Sequence, residues 1–588
     1  MRLRAVASTL AATALVALAV PLAASDAREI DFDTSLPPET LADALLERMT
    51  DEEALAQTFM LGWVGADPSP LILEWIKERR IGGVKIFGWN TEDTDKLVRA
   101  VGSLQTAALA SPRAIPLLVA TDQEGGWIRH VKGTTSETPG NMAIGASGFP
   151  RDAYLSGLYI GREIAALGIN MNFAPTVDLY TNPDSILIGP RAFGRDPVKT
   201  AVLGAAFAKG LEAAGVIATA KHYPGHGDTA LDSHGVLPEI DATVETLWER
   251  ELVPYRMLAK EGIPAIMSGH LAFPRTPARS EPASLSRWFL TDLLRKKIGF
   301  EGLIITDDLL MNGAASSAGT LSRAARRALE AGNDIIMLSK TPALDDPIWE
   351  NLVEACRREP AFRERVRDAA RRVLVLKIER LRAKNAPPFV PDPAEAARRV
   401  PDKEGAAFFL DLAVRSVTLV EGAPTREGAG DAFPLTAEKA GKVLLAGQFE
   451  DFFAVGLAAY PGAARYRFSY VPQDRAAPAE RSALLRSAAD ADTIILCLAN
   501  PASLELLQAL RPLGRRVIAF SVLSPVYLDK APWVDGAVAV YSYARPSFIA
   551  GFSALLGRTV PHGELPFPLS AKRRSAPASG ADLQDRRP

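Results

Sequence analysis

The densest chemistry in this 588-residue chain lies in AKHYPGHGDTALDSHGVLPEI, residues 220–240. Three of only six histidines, His222, His226 and His234, fall there, in company with Lys221, Asp228 and Asp232. A histidine of ordinary pKa, ~6.5, can give and take a proton near neutrality. A carboxylate beside it can hold one ring nitrogen and stabilise the imidazolium. Pro224, Gly225 and Gly227 break any helix, so the spacing does not put His222 and His226 on one helical face as a zinc pair. A metal site built from these histidines and Asp228 stays open as an alternative. Other ionisable groups close short apolar runs. Asp122, Gln123 and Glu124 follow IPLLVAT, Asp178 ends GINMNFAPTVD, His270 ends IPAIMSGH, and Asp307 and Asp308 end GLIITDD.

Those runs belong to a regular series. QTFMLGW (57–63), GGVKIFGW (82–89), IPLLVATDQEG (115–125), GINMNFAPTVD (168–178), GVIATAKHYPG (215–225), IPAIMSGH (263–270), GLIITDD (302–308) and NDIIMLS (333–339) read as eight strands. Amphipathic helical stretches such as TDKLVRAVGSLQTAAL and SRAARRALEAG separate them. Strict alternation implies a parallel sheet, because parallel strands need a crossover. Eight such units match a (β/α)8 TIM-like barrel, with an open doubly wound sheet as the alternative. No GxGxxG turn follows the first strand, which weakens a dinucleotide fold. In a barrel all the strand ends listed above converge on one face, where active sites are built.

The residues then carry a recognisable pattern. KHYPGHGDTALDSHGVLP resembles the signature of family 3 glycoside hydrolases of the β-N-acetylglucosaminidase (β-N-acetylhexosaminidase) branch. The resemblance runs from about residue 45 to 380 through ATDQEGG, NMNFAPTVDLYTNP, GPRAFGRDP, MSGHLAFP, PASLS and GFEGLIITDDLLMNGA. It implies that Asp307 is the catalytic nucleophile, His234 the general acid/base and Asp232 its orienting partner. It also implies that Asp122, Arg191, Lys221 and His222 bind substrate. Asp308 reads as a cap or salt-bridge partner. The expected reaction is retaining exo-hydrolysis of terminal β-linked N-acetylhexosamine from cell-wall or chitin-derived oligosaccharides, with no metal or organic cofactor. A phosphorylase, a β-glucosidase of the same family and a non-catalytic wall-glycan binder are the competing readings. One departure stands out: the family usually continues DQEGG with Arg, and here Trp127 follows, then Arg129 and His130. Trp127 reads either as a platform for a sugar face or as a packing residue over the barrel mouth.

The remaining organisation follows from composition. Formal net charge is -2, with 67 Lys and Arg against 69 Asp and Glu, so no basic footprint for nucleic acid exists. Two cysteines, Cys356 and Cys497, exclude a disulfide scaffold and a four-cysteine zinc site. Residues 1–27 read as a signal peptide, which implies export to periplasm or medium without stable membrane insertion after cleavage. The barrel domain is expected over 28–384, a Pro-rich linker over 385–405, a smaller α/β sandwich domain over 406–570, and a disordered tail over 571–588. Five apolar runs from GKVLLAGQ (441–448) to GAVAVYSY (536–543) supply the second domain's strands. No oligomeric state is specified.

Overall fold

The computed structural model describes residues 30–233, 235–422, 431–472 and 477–569. The signal-peptide and tail assignments, and His234, lie outside the described residues. Eight parallel strands close a barrel: β1 (Phe59–Gly62), β2 (Gly83–Ile86), β3 (Leu118–Thr121), β4 (Met171–Asn172), β5 (Ile217–Tyr223), β6 (Ala265–Ser268), β7 (Leu303–Asp308) and β8 (Ile335–Leu338). Each strand pairs with its neighbours in sequence, and β8 closes onto β1. The eight expected strands are thus all present, in order.

Side-chain alternation along each strand sorts the core into two layers. Met60, Leu118, Ala120, Met171, Ile217, Ala265, Met267, Leu303, Ile305, Ile335 and Met337 pack together inside the barrel. Leu61, Val84, Ile86, Val119, Ala218, Ala220, Ile266, Ile304 and Leu338 pack outward against the helices. Helices Pro38–Glu47 and Pro360–Leu381 bring Leu41, Leu45, Val373 and Leu374 to the interior cluster. The opposite end, where the strands finish, carries the polar residues. Asp122, Lys221 and Asp307 each continue the inward parity of their strand, and so does Lys85 on β2.

The second domain is an open α/β sheet of six strands: β9 (Thr418–Glu421), β10 (Val443–Gly447), β11 (Ala464–Arg467), β12 (Thr493–Leu498), β13 (Arg516–Ser521) and β14 (Gly536–Ala539). The order is β9-β14-β13-β12-β10-β11. Five strands were expected; the sixth, β9, pairs antiparallel with β14 at one edge. Alternating β and α units give no warning of such an edge strand. The stretch 385–405 is a packed connection. Asp392 caps helix Pro393–Arg399 through the amides of Ala394 and Glu395, and Ala396 and Val400 are buried against the barrel's outer layer. The boundary expected at residue 406 falls inside helix Lys403–Ser416. That helix places Phe408, Phe409 and Leu412 in the barrel's outer core and Ala413 in the second domain's core. The two domains also share an apolar cluster of Met142, Ala143, Tyr180 and Ile188 with Tyr541 and Phe567. Among the described residues, no helix is long and apolar enough to cross a membrane.

Candidate active site

The end of β3 is held in place by local hydrogen bonds before any charge is considered. Asn172 on β4 accepts from the Gln123 amide at 2.9 Å and donates to its carbonyl at 2.9 Å. The Gln123 side chain pins Val131 in the same two-way manner, at 2.9 and 3.1 Å. Between them a hairpin pairs Gln123–Gly125 with Ile128–Arg129. Its turn uses Gly125 at φ 89° and Gly126 at φ 59°, the left-handed region that glycine enters without strain. Asp122 and Glu124 are therefore fixed at the root of this hairpin.

Their carboxylates meet three cations. Lys85 Nζ lies 2.5 Å from Asp122 Oδ2, and Lys221 Nζ bonds Asp122 Oδ1. Lys221 also lies 2.6 Å from Glu124 Oε1. Arg191 grips Glu124 with both Nε (3.0 Å) and Nη2 (2.8 Å), the bidentate geometry that suits a guanidinium. Burial would raise both carboxyls. The neighbouring cations outweigh it, holding Asp122 well below the usual carboxylate range and Glu124 at about 2. Burial likewise lowers Lys85, against the attraction of Asp122.

A second pair lies beside the first. His222 Nδ1 is 2.6 Å from Asp178 Oδ2, and its backbone amide donates to Asp178 Oδ1 at 3.2 Å. The His226 amide donates to the same oxygen at 2.7 Å. Asp178 is thereby held at about 2, although burial opposes this. His222 Nε2 stands 3.3 Å from Arg191, which links the two clusters. His226 Nε2 is 3.1 Å from Ser233 Oγ, and burial, aided by His222, brings its pKa down to about 4. Asp228 is occupied by Arg250 at 2.5 Å. His222, His226 and Asp228 are thus engaged separately. Among the described residues no group of three or more His, Cys, Asp or Glu is placed to hold a metal ion.

Asp307, next to last in β7, has different surroundings. Among the described residues, the hydrogen bond to its carboxylate comes from the Asp308 amide, 2.8 Å from Oδ1. Burial pushes its pKa up. His222, His270, the Asp308 amide and Lys221 pull it down further, and the net direction is downward. Asp308 fills the capping role expected of it: Oδ1 accepts from Leu310 (3.1 Å) and Ser339 (3.0 Å).

The loop carrying Asp232 reaches the segment that follows Asp307. The Ser233 carbonyl accepts from Gly313 at 3.3 Å, and the Gly235 carbonyl accepts from Asn312 Nδ2 at 3.5 Å. Glycine at 313 eases this approach, because a Cβ there would stand 3.1 Å from both the Ser233 oxygen and His270 Cβ, tighter than most side-chain contacts. Asp232 itself is exposed, and its carbonyl accepts from Gly235 at 3.1 Å.

Asp122, Arg191, Lys221, His222 and Asp307 therefore converge on one barrel mouth, with the Asp232 loop against it. Two partners escaped the sequence reading, Lys85 and the direct Glu124–Arg191 pairing. Trp127, at the hairpin tip, packs half-buried against the second domain's core.

A closed barrel of eight parallel strands with acids, bases and hydrogen-bonded histidines at the strand ends is an enzyme architecture. Residues 52–376 match the Glycosyl hydrolase family 3 N terminal domain. The chain belongs to glycosyl hydrolase family 3. It is 36% identical over 286 residues to the beta-hexosaminidase A of Pseudoalteromonas piscicida, covering 46% of this chain and 47% of that protein. It thus spans about half the length of that relative. It is 36% identical over 278 residues to the beta-hexosaminidase of Neisseria meningitidis serogroup A, covering 46% of this chain and 74% of the other. In structure it resembles a family 3 beta-N-acetylglucosaminidase from Paenibacillus sp. str. FPU-7, with TM-score 0.77 and 28% identity over 89% of this chain and 99% of the other.

Proposed function

We propose that the protein is an exported, retaining exo-β-N-acetylglucosaminidase that removes terminal β-linked N-acetylhexosamine from cell-wall or chitin-derived oligosaccharides. The observation that carries this reading is the state of Asp307. Among the strand-end acids Asp122, Glu124, Asp178 and Asp307, the first three are each clamped by a cationic or imidazole side chain. Asp307 alone takes its one hydrogen bond among the described residues from a backbone amide, while His222, His270, that amide and Lys221 favour its ionised form. An ionised carboxylate with an oxygen to spare, on a rigid strand end, suits a nucleophile.

In the first step an Asp307 oxygen bonds to the anomeric carbon as the glycosidic C–O bond breaks, and the departing oxygen takes a proton from His234. In the second, His234 removes a proton from water, whose oxygen displaces Asp307 and restores the original anomeric configuration. Asp232 would orient His234. The Ser233 and Gly235 contacts to Gly313 and Asn312 support this, because they bring the flanks of that histidine to the Asp307 side of the mouth. Asp122, Arg191, Lys221 and His222 would bind sugar hydroxyls. The beta-hexosaminidase names of the two relatives agree with an amino-sugar substrate.

The test is to incubate the protein with nitrophenyl β-N-acetylglucosaminide, with and without phosphate, and to follow products by mass and by NMR of the anomeric proton. Free β-N-acetylglucosamine formed first is expected. An initial α product would overturn retention, and sugar 1-phosphate would replace hydrolysis by phosphorolysis. His234→Ala is expected to slow poor leaving groups at least tenfold more than activated aryl groups. Equal losses would remove His234 from the acid role.

A further inference from the structure

Several exposed apolar side chains follow barrel strand ends: Val64 after β1, Trp89 after β2, Leu231 and Val236 after β5, and Leu310 after β7. Trp89 is the largest and is 44% exposed. It is also firmly held. Its indole N–H donates to the Trp63 carbonyl at 2.7 Å. Its ring lies nearly parallel to Phe87, with centroids 4.6 Å apart and an angle of 10°. The adjoining Asn90 fixes the turn, donating to the carbonyls of Trp63 (3.2 Å) and Gly65 (2.5 Å) and accepting from the Phe87 amide at 2.8 Å. One face of the indole lies on Phe87, and much of the remainder is open to solvent.

Phe87 joins this ring to the polar mouth. Its centroid lies 5.7 Å from the His130 ring and 4.3 Å from Lys85 Nζ, and Lys85 holds Asp122. An aromatic face carries partial negative charge and attracts positively polarised hydrogens. The C–H face of a β-linked pyranose offers such hydrogens together with apolar area. A ring already locked in place loses little further freedom when it is covered.

We propose that Trp89 is the platform for the sugar ring on the leaving-group side of the one held at Asp307, and that it sets the preference for oligosaccharides over simple glycosides. This rests on the function proposed above.

Two measurements on the full-length protein decide it. The first is hydrolysis of N,N′-diacetylchitobiose and of methyl β-N-acetylglucosaminide, which has no second ring. Trp89→Ala is expected to lower kcat/KM for chitobiose about tenfold, mostly through KM, and to leave the methyl glycoside within twofold. Trp89→Phe should recover most of the loss. The second is calorimetric binding of N,N′,N″-triacetylchitotriose to Asp307→Ala with and without Trp89→Ala, where about tenfold weaker binding is expected. Equal losses on both glycosides, or binding that ignores Trp89, overturns the platform. A wild-type protein that cleaves neither glycoside yet binds chitotriose through Trp89 overturns the hydrolase reading and leaves the platform standing. Asp307→Ala that binds no chitotriose overturns the platform.

Discussion

Glu124→Gln keeps the side chain's shape and removes one buried charge. Both wild-type oxygens are committed, to Arg191 at 3.0 and 2.8 Å and to Lys221 at 2.6 Å. Burial would raise this carboxyl, and the cations instead bring it from 4.5 to about 2. That difference makes the ionised form worth about 3 kcal/mol to the folded state. A similar figure, ~3–5 kcal/mol, is usual when one partner of a buried ion pair is removed. Glutamine would also turn an N–H2 group toward a cation. The sign with pH follows from the depressed folded pKa. The stabilisation is complete above 4.5 and is lost as pH falls toward 2.

At pH 3.5 the wild type should have lost about 1.4 kcal/mol through this group. The variant has nothing to lose there, so the gap between the two proteins must narrow. Urea denaturation at pH 7 and at pH 3.5, followed by circular dichroism, measures both quantities. At pH 7 the variant should also lose kcat/KM, because Arg191 and Lys221 lose a shared anchor. A stability loss under about 1 kcal/mol at pH 7, or a gap that stays constant on acidification, would refute the reasoning.

Two further outcomes follow from the geometry. Buried His226 stays neutral down to about pH 4, whereas in the unfolded chain it protonates near 6.5, so this group destabilises the fold as pH falls between those values, by up to about 3 kcal/mol. Melting curves from pH 7.5 to 4.5 should show the slope, and His226→Gln should flatten it; an unchanged slope would remove His226 as its source. Trp127→Ala removes the hairpin tip's contact with the second domain's core and should cost about 1–3 kcal/mol, for a half-buried ring. Calorimetry should show the domains' transitions moving apart, and an unaltered single transition would show that the contact does not couple them.

Much of this site was legible because strand alternation has a fixed period. Once 118–121, 217–223 and 303–308 are strands, Asp122, Lys221 and Asp307 share a side with Leu118, Ile217 and Leu303 and must meet at the carboxyl end. The same parity would have found Lys85, two positions after Gly83. GGVKIFGW reads as one apolar run, which hides this lysine. The Glu124–Arg191 fork was not legible, since it joins a hairpin to a short turn 67 residues away and no local period relates them. The packing of 385–405 is hidden by its proline content. Asp392 before Pro393 is a helix start in its own right, because an N-cap carboxylate followed by proline suits the first turn. The contact of Trp127 was not legible either, because it is made with a surface more than 280 residues downstream.

The mouth's charge inventory bears on how the proposed reaction would turn over. Lys85, Lys221 and Arg191 stand among four carboxylates, Asp122, Glu124, Asp178 and Asp307, with His222 between Asp178 and Arg191. Asp122 and Glu124 are bound by direct contacts to cations, and Asp178 by His222. Asp307 feels Lys221 and the imidazoles of His222 and His270 only through space. If Asp307 became an ester of the sugar, its charge would be lost while the groups that favour its ionised form stayed in place. Their unchanged field favours any step that returns Asp307 to the carboxylate. The arrangement therefore helps the second step, in which Asp307 is the leaving group, more than the first, in which its low basicity makes it a weaker nucleophile. Clamping Asp122 and Glu124 rather than Asp307 keeps the balancing charge near the reacting atom without tying up the oxygen that must move. The same electrostatics would hold whichever acceptor, water or an anion, entered the second step.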